Sequence, residues 1–177
     1  MKKLYLLASV FCASISLNAQ MQHIGSYNTG ESDAAEVVAF DATNQQVYFT
    51  SSAANRLSIL DASNPNNPTL IKEIDLSTYG AGPNSVDYKN GIVAVAVEAD
   101  TKTDNGKIIF LDKDGNYVAE ITAGALPDML CFSPDGNKII VANEGEPNDE
   151  YTVDPNGSIS IINISNGVEN ATIKTLD

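Results

Sequence analysis

Leu130 to Asn163 read LCFSPDGNKIIVANEGEPNDEYTVDPNGSISIIN. The stretch opens apolar, variable, aromatic (Leu130-Cys131-Phe132), turns at Ser133-Pro134-Asp135-Gly136 and runs into KIIVAN, an apolar segment of strand length. An acidic segment follows, and then a second short apolar run, SISIIN. Working outward, the same order recurs twice upstream. Val38-Ala39-Phe40 and Val86-Asp87-Tyr88 repeat the opening triplet at spacings of 48 and 44 residues. Their turns are Asp41 to Gln45 and Lys89-Asn90-Gly91, and the runs after them are QVYFT and IVAVAV. Third strands follow at RLSILD and KIIFLD, so that Asp61, Asp112 and Asn163 end equivalent strands 51 residues apart. Fourth strands read TLIKEID, YVAEI and ATIKTL.

Four short strands in units of about 45 to 50 residues, with no amphipathic helical stretch, predict an all-β chain built of β-propeller blades. A plain β-sandwich would account for the strands but not for the repeated aromatic or the 51-residue register. Three four-stranded antiparallel blades are expected, at approximately 36–78, 84–122 and 128–176. Three do not close a ring, because propellers have about 4 to 8. Residues 20–177 are therefore expected to be the N-terminal part of a propeller whose remaining blades lie downstream of Asp177. His23 to Tyr27 (HIGSY) read as a strand that would complete the last blade of an intact ring.

The first 19 residues have basic Lys2 and Lys3, an apolar stretch from Leu4 to Leu17 and a cleavage point after Ala19, which together read as a secretory signal peptide. The expected destination is outside the cell or on its surface, by bacterial export. No later run approaches the roughly 18 apolar residues of a membrane span. Loss of the leader leaves 8 basic against 23 acidic side chains and moves the formal charge from −13 to −15. Such a balance argues against nucleic acid or anionic lipid as partner and is compatible with cation binding or simply with solubility; the expected partner is an unknown extracellular ligand or surface component. Cys131 alone of the two cysteines survives processing, and its apolar surroundings in sequence predict a buried, inert thiol.

In a propeller the loops between second and third strands share a face with the links from one blade to the next. Asn143 to Ser158, NEGEPNDEYTVDPNGS, is such a loop and carries Glu144, Glu146, Asp149, Glu150 and Asp154 with no lysine or arginine. The corresponding loop of the second blade, EADTKTDNG, brings Glu98, Asp100 and Asp104. The links align Asn84 with Asp128, and the start of the first blade puts Glu36 at the same position. Glu36, Asn84 and Asn143 are thus candidates for a ligand-binding face. Flanking strands and the turn residues Pro147-Asn148 and Pro155-Asn156-Gly157 argue against disorder. Two readings of the loop stand: a solvated acidic surface, or a calcium site using Asp128, Glu98, Asp100, Glu144, Glu146, Asp149, Glu150 and Asp154. Asp112-Lys113-Asp114-Gly115-Asn116 starts like a helix-loop-helix calcium loop but lacks the later glycine and glutamate, so it reads as a hairpin turn. His23 is the only histidine, which leaves no His-ligated zinc site or serine triad, and Ser85 has no base beside it.

The segments GSYNTGESDAAEVVAFD, GPNSVDYKNGIVAVAVEAD and GALPDMLCFSPDGNKIIVANEGEPNDEYTVDPNGSISIINIS resemble the choice-of-anchor I family of secreted propeller proteins. Some members are described as alkaline phosphatase-like, others as mesenchyme-specific cell-surface glycoprotein-like. The resemblance implies two functions of different class: a secreted or surface binding module, or a metal-dependent phosphomonoesterase. In the second, Asp128, Glu98 and Glu144 would hold metal ions that polarise a phosphate and activate water.

Overall fold

A computed structural model describes residues 21–31 and 35–177. The leader expected over residues 1–19 lies outside them. The described residues form three four-stranded antiparallel sheets, each made from one continuous stretch of chain. The first contains β1 (Val38–Asp41), β2 (Gln46–Ser51), β3 (Arg56–Asp61) and β4 (Thr69–Asp75). The second contains β5 (Gly82–Lys89), β6 (Ile92–Glu98), β7 (Asn105–Asp112) and β8 (Tyr117–Ala125). The third contains β9 (Pro127–Phe132), β10 (Lys138–Asn143), β11 (Ser158–Asn163) and β12 (Thr172–Leu176). A three-residue 3-10 turn, Val168–Asn170, is the only helical element among the described residues. These are propeller blades in an open ring, as the repeat predicts.

The turns show why the repeat is visible in sequence. Asn90 and Gly91 both have positive φ (51° and 86°), the backbone of a tight two-residue hairpin turn whose twist matches its strands. Asp61, Asp112 and Asn163 each accept the backbone N–H two residues on, from Ser63 (2.8 Å), Asp114 (2.9 Å) and Ser165 (3.0 Å). One side-chain oxygen at the end of the third strand thus fixes the turn into the fourth in all three blades. Asp112 to Asn116 is accordingly a hairpin turn.

The sheets stack in chain order, with the second between the other two. Val93, Val95, Val97, Ile109 and Leu111 point from the second sheet toward the first and meet Ala39, Tyr48, Leu57 and Ile59. Ala94, Ala96, Ile108 and Phe110 point the other way and meet Leu130, Ile139, Val141 and Ile162. Both faces of β6 are therefore buried, which is why IVAVAV is apolar at every position rather than at every second one. The first strands lie side by side. Ser85 Oγ accepts the Leu130 N–H at 3.2 Å, and Asp87 Oδ2 accepts the Phe132 N–H at 2.8 Å, pinning the edge of the third blade to the second.

The repeated aromatics occupy the blade interfaces where a neighbouring blade exists. The Tyr88 ring stacks on Tyr48 (centroids 5.4 Å apart, 14° between planes), and Phe132 packs against the second core cluster. Phe40 faces away from the second sheet and is 55% exposed. Two expectations are corrected, that of a buried Cys131 and that of a longer link between the second and third blades. Cys131 is exposed, because strand alternation sends Leu130 and Phe132 inward and Cys131 to the outer face of the third sheet. His23 to Tyr27 form no strand; the stretch backs onto the β3–β4 loop at Gly25 and sets the Tyr27 ring 6.5 Å from Phe49. The link from the second blade to the third is Leu126 alone, since β8 continues to Ala125 and pairs it with Asn105.

Candidate functional site

The β2–β3, β6–β7 and β10–β11 loops share one face with the β4–β5 link and Leu126. Backbone contacts hold them together. Ala81 N–H donates to the Glu98 carbonyl at 3.0 Å, joining the β4–β5 link to the end of β6. A Cβ on Gly80 would sit 1.9 Å from that same carbonyl, so only glycine fits there. Glu144 N–H donates to Leu126 O at 2.9 Å, and Gly145 N–H to Ala125 O at 3.2 Å, tying the acidic loop to the blade link.

Beyond those ties the β10–β11 loop is organised by Asn148. Its Oδ1 accepts the N–H groups of Thr152 (2.8 Å) and Val153 (3.0 Å), its Nδ2 donates to Thr152 Oγ1 (2.9 Å), and its own N–H donates to Val153 O (3.0 Å). Gly145, at φ 65°, closes the loop's base against the Asn156 carbonyl group. The five carboxylates therefore sit on a folded loop. Their counter-charge comes from the neighbouring blade, where Lys102 of the β6–β7 loop forms an ion pair with Glu146. The hydrogen bond to Glu146, followed by the negative charges of Glu146, Asp149 and Glu98, raises the Lys102 ammonium above its ordinary range. Lys102, Glu146, Pro147, Asn148, Asp149 and Tyr151 enclose a hollow of about 300 Å³, beside which the Tyr151 side chain is 81% exposed.

The residues singled out from sequence fall into separate places. Glu144, Glu146, Asp149, Glu150 and Asp154 are exposed on the one loop, Asp100 and Asp104 are exposed on the other, and Glu98 is half-buried at the end of β6. Asn84 and Asp128 do occupy equivalent positions: each is the bulged residue of its blade's first strand, with no ladder partner of its own. Asn84 Nδ2 reaches the Pro127 carbonyl at 3.3 Å, while Asp128 is exposed. The Ser52 hydroxyl lies between the Glu36 carboxylate (2.5 Å) and the Pro83 carbonyl (2.8 Å). Asn143 is buried, its Oδ1 accepting the Gly124 N–H at 3.0 Å and its Nδ2 donating to Ser160 Oγ at 2.9 Å. It is a tie between the second and third blades. Among the described residues no three histidine, cysteine or acidic side chains gather as a metal ion requires. The donor set thus does not form a ready metal cage, whether for calcium or for the metal ions of a phosphatase. Ser85 is buried and spent on Leu130 and on the Met129 sulfur (3.6 Å).

Sequence reasoning did not reach Lys102, because its partner lies in another blade, or the paired rings of Tyr79 and Tyr117. Those rings stack with centroids 5.9 Å apart and 7° between planes. The only available signal was the placement of Tyr79 in a link and Tyr117 at the start of a fourth strand.

Residues 36–177 match the choice-of-anchor I domain, and the chain belongs to that family. No curated protein sequence matches it. Among solved structures it is similar to the hydrazine synthase of Kuenenia stuttgartiensis, with 21% identity and a TM-score of 0.58 over 80% of this chain and 37% of that one. It is likewise similar to a candidate 6-phosphogluconolactonase from Bacteroides uniformis, with 18% identity and a TM-score of 0.58 over 80% and 39%. The chain spans under two fifths of each of these structures. At such identities the likeness concerns the fold.

Proposed function

We propose that this choice-of-anchor I domain is the binding part of a secreted or cell-surface protein, and that it takes its ligand on the face carrying the β6–β7 and β10–β11 loops. The observation that supports this reading is the convergence of two acidic loops from neighbouring blades, joined by Lys102 and Glu146 around a hollow of about 300 Å³. That volume is at the lower end of small-molecule pockets, about 300 to 1,000 Å³. The Asn148 hydrogen bonds hold the loop in shape before any ligand arrives, which lowers the entropy cost of binding. Export by the N-terminal leader is part of the same proposal and rests on the sequence.

Calcium is proposed as the counter-ion of the β10–β11 loop. Its support is charge density: five carboxylates are answered by one lysine. With no three of them gathered, the ion would be held loosely, and its effect should be small. A ligand present at its Kd stabilises the native state by about 0.4 kcal/mol, and one at a hundredfold Kd by about 2.7 kcal/mol. Millimolar calcium should therefore raise the melting temperature modestly over a chelator control at matched ionic strength. Asp149→Asn combined with Asp154→Asn should remove most of the rise. Equal melting temperatures would return the loop to a solvated acidic surface. The phosphomonoesterase implied by family resemblance is tested separately, by turnover of a chromogenic phosphate ester with and without chelator.

A further inference from the structure

We infer that a second cleft on this face, between the β4–β5 link and the β6–β7 loop, binds a neutral sugar unit of a glycan. It shares no lining residue with the hollow beside Lys102 and has a volume of about 400 Å³. The inference rests on the proposed role of this face as a binding surface and names a ligand class for one part of it.

Three features of the cleft carry the inference. Its lining mixes donors and acceptors: the Asp100 and Asp104 carboxylates accept, the Asn105 amide does both, the Thr78 hydroxyl does both, and the Lys107 ammonium donates. Vicinal sugar hydroxyls also donate and accept, so each can be matched, whereas a lining of carboxylates alone would suit only a cation. The side chains of Asp100, Asp104 and Asn105 make no hydrogen bond to other described residues and are exposed. Lys107 is held in place by Glu120 at 2.8 Å.

The aromatic wall is the second feature. Tyr79 lines the cleft, and its ring lies nearly parallel to that of Tyr117, which is 51% exposed. Tyr79 is the aromatic group of the lining, and its stacking on Tyr117 and packing against the first core cluster hold its ring in place. A pyranose ring has apolar C–H groups that can pack on an aromatic side chain while its hydroxyls turn to polar side chains. Phosphate, sulfate or a carboxylate-bearing sugar would meet two unpaired aspartates and only one lysine, itself already paired.

The third feature is rigidity. The wall bearing Tyr79 is fixed at the next residue, where Gly80 packs against the Glu98 carbonyl and the Gly80 carbonyl accepts from Asn55 Nδ2 at 2.8 Å. A cleft whose walls are already joined loses little freedom on binding, and weak polar contacts then suffice for measurable affinity.

The test is an array of neutral glycans containing glucose, galactose, mannose or N-acetylglucosamine, with sialylated and sulfated counterparts and an arginine-rich peptide as further probes. The full chain should retain at least one neutral glycan. Asp100→Ala combined with Asp104→Ala should weaken that binding about tenfold, the effect of losing hydrogen bonds to charged groups. Both positions are exposed, and an unchanged melting temperature verifies that the variant is folded. Tyr117→Ala should weaken it as well, by removing the ring on which Tyr79 is stacked. Asp149→Asn with Asp154→Asn should leave it unchanged. Preference for charged glycans or for the cationic peptide would overturn the inference, as would retention of no glycan. Glycan binding lost in the Asp149/Asp154 variant but kept in the Asp100/Asp104 variant would place the sugar beside Lys102, overturning this inference while supporting the binding role of the face.

Discussion

Asp135 concentrates three donors on one carboxylate in the β9–β10 turn. Ser133 Oγ donates to it at 2.6 Å, and the Asn137 N–H and side-chain amide each donate at 3.1 Å. These bonds, the Ser133 hydroxyl first, lower its pKa from 3.8 to about 2. The folded carboxyl therefore holds its proton less tightly than the unfolded one. Its contribution is complete above the unfolded value near 4 and is lost as the pH falls toward 2. Asp61 and Asp75 are lowered in the same direction by the Ser63 and Ser77 groups that bond to them. The stability difference between the wild-type chain and Asp135→Ala, measured by urea unfolding, should thus be full above pH about 4 and close by pH about 2. A difference that stays constant over this range would show that the turn does not depend on the ionised carboxylate.

The β4–β5 link and the end of β6 illustrate how blades are joined where no side chain could fit. Gly80 is needed because of where it packs, against the Glu98 carbonyl, and a methyl group there would have to displace backbone. Gly80→Ala should lower stability by about 1–3 kcal/mol, in the range of overpacked core sites. The same urea titration would measure it, and a loss under about 0.5 kcal/mol, typical of ordinary surface positions, would contradict the close packing. Because the link also carries Tyr79, the variant should disturb the sugar cleft more than the hollow beside Lys102. The links were the least legible part of the sequence. Their glycines and prolines marked chain reversals, but β8 runs through the stretch expected to be a link and leaves Leu126, at φ 51°, to make the turn alone.

Across the whole molecule, what could be read in advance were the features each blade must rebuild for itself. The Asp or Asn that closes the third-to-fourth turn recurs because the turn recurs, and the aromatic of the first strand recurs because each interface must be filled. What stayed hidden depends on contacts between blades. The Lys102–Glu146 ion pair and the Tyr79–Tyr117 stack follow from how sheets are set against one another, which no local pattern encodes. The same stacking leaves the second sheet in an unequal position. Its β6 has a strand on either side and a sheet on either face, and Val93 through Val97 are wholly buried. β4 and β12 are edge strands with most residues exposed. Opening β6 to solvent requires separating it from both neighbouring blades, whereas β4 and β12 can fray alone. Amide hydrogen exchange followed by mass spectrometry should therefore be slowest in peptides covering 92–98 and fastest among strands in those covering 69–75 and 172–176. Exchange at equal rates in all three sheets would mean that each opens independently. The slow order instead makes the middle blade the last part of the chain to take up deuterium, and its protection a measure of global unfolding.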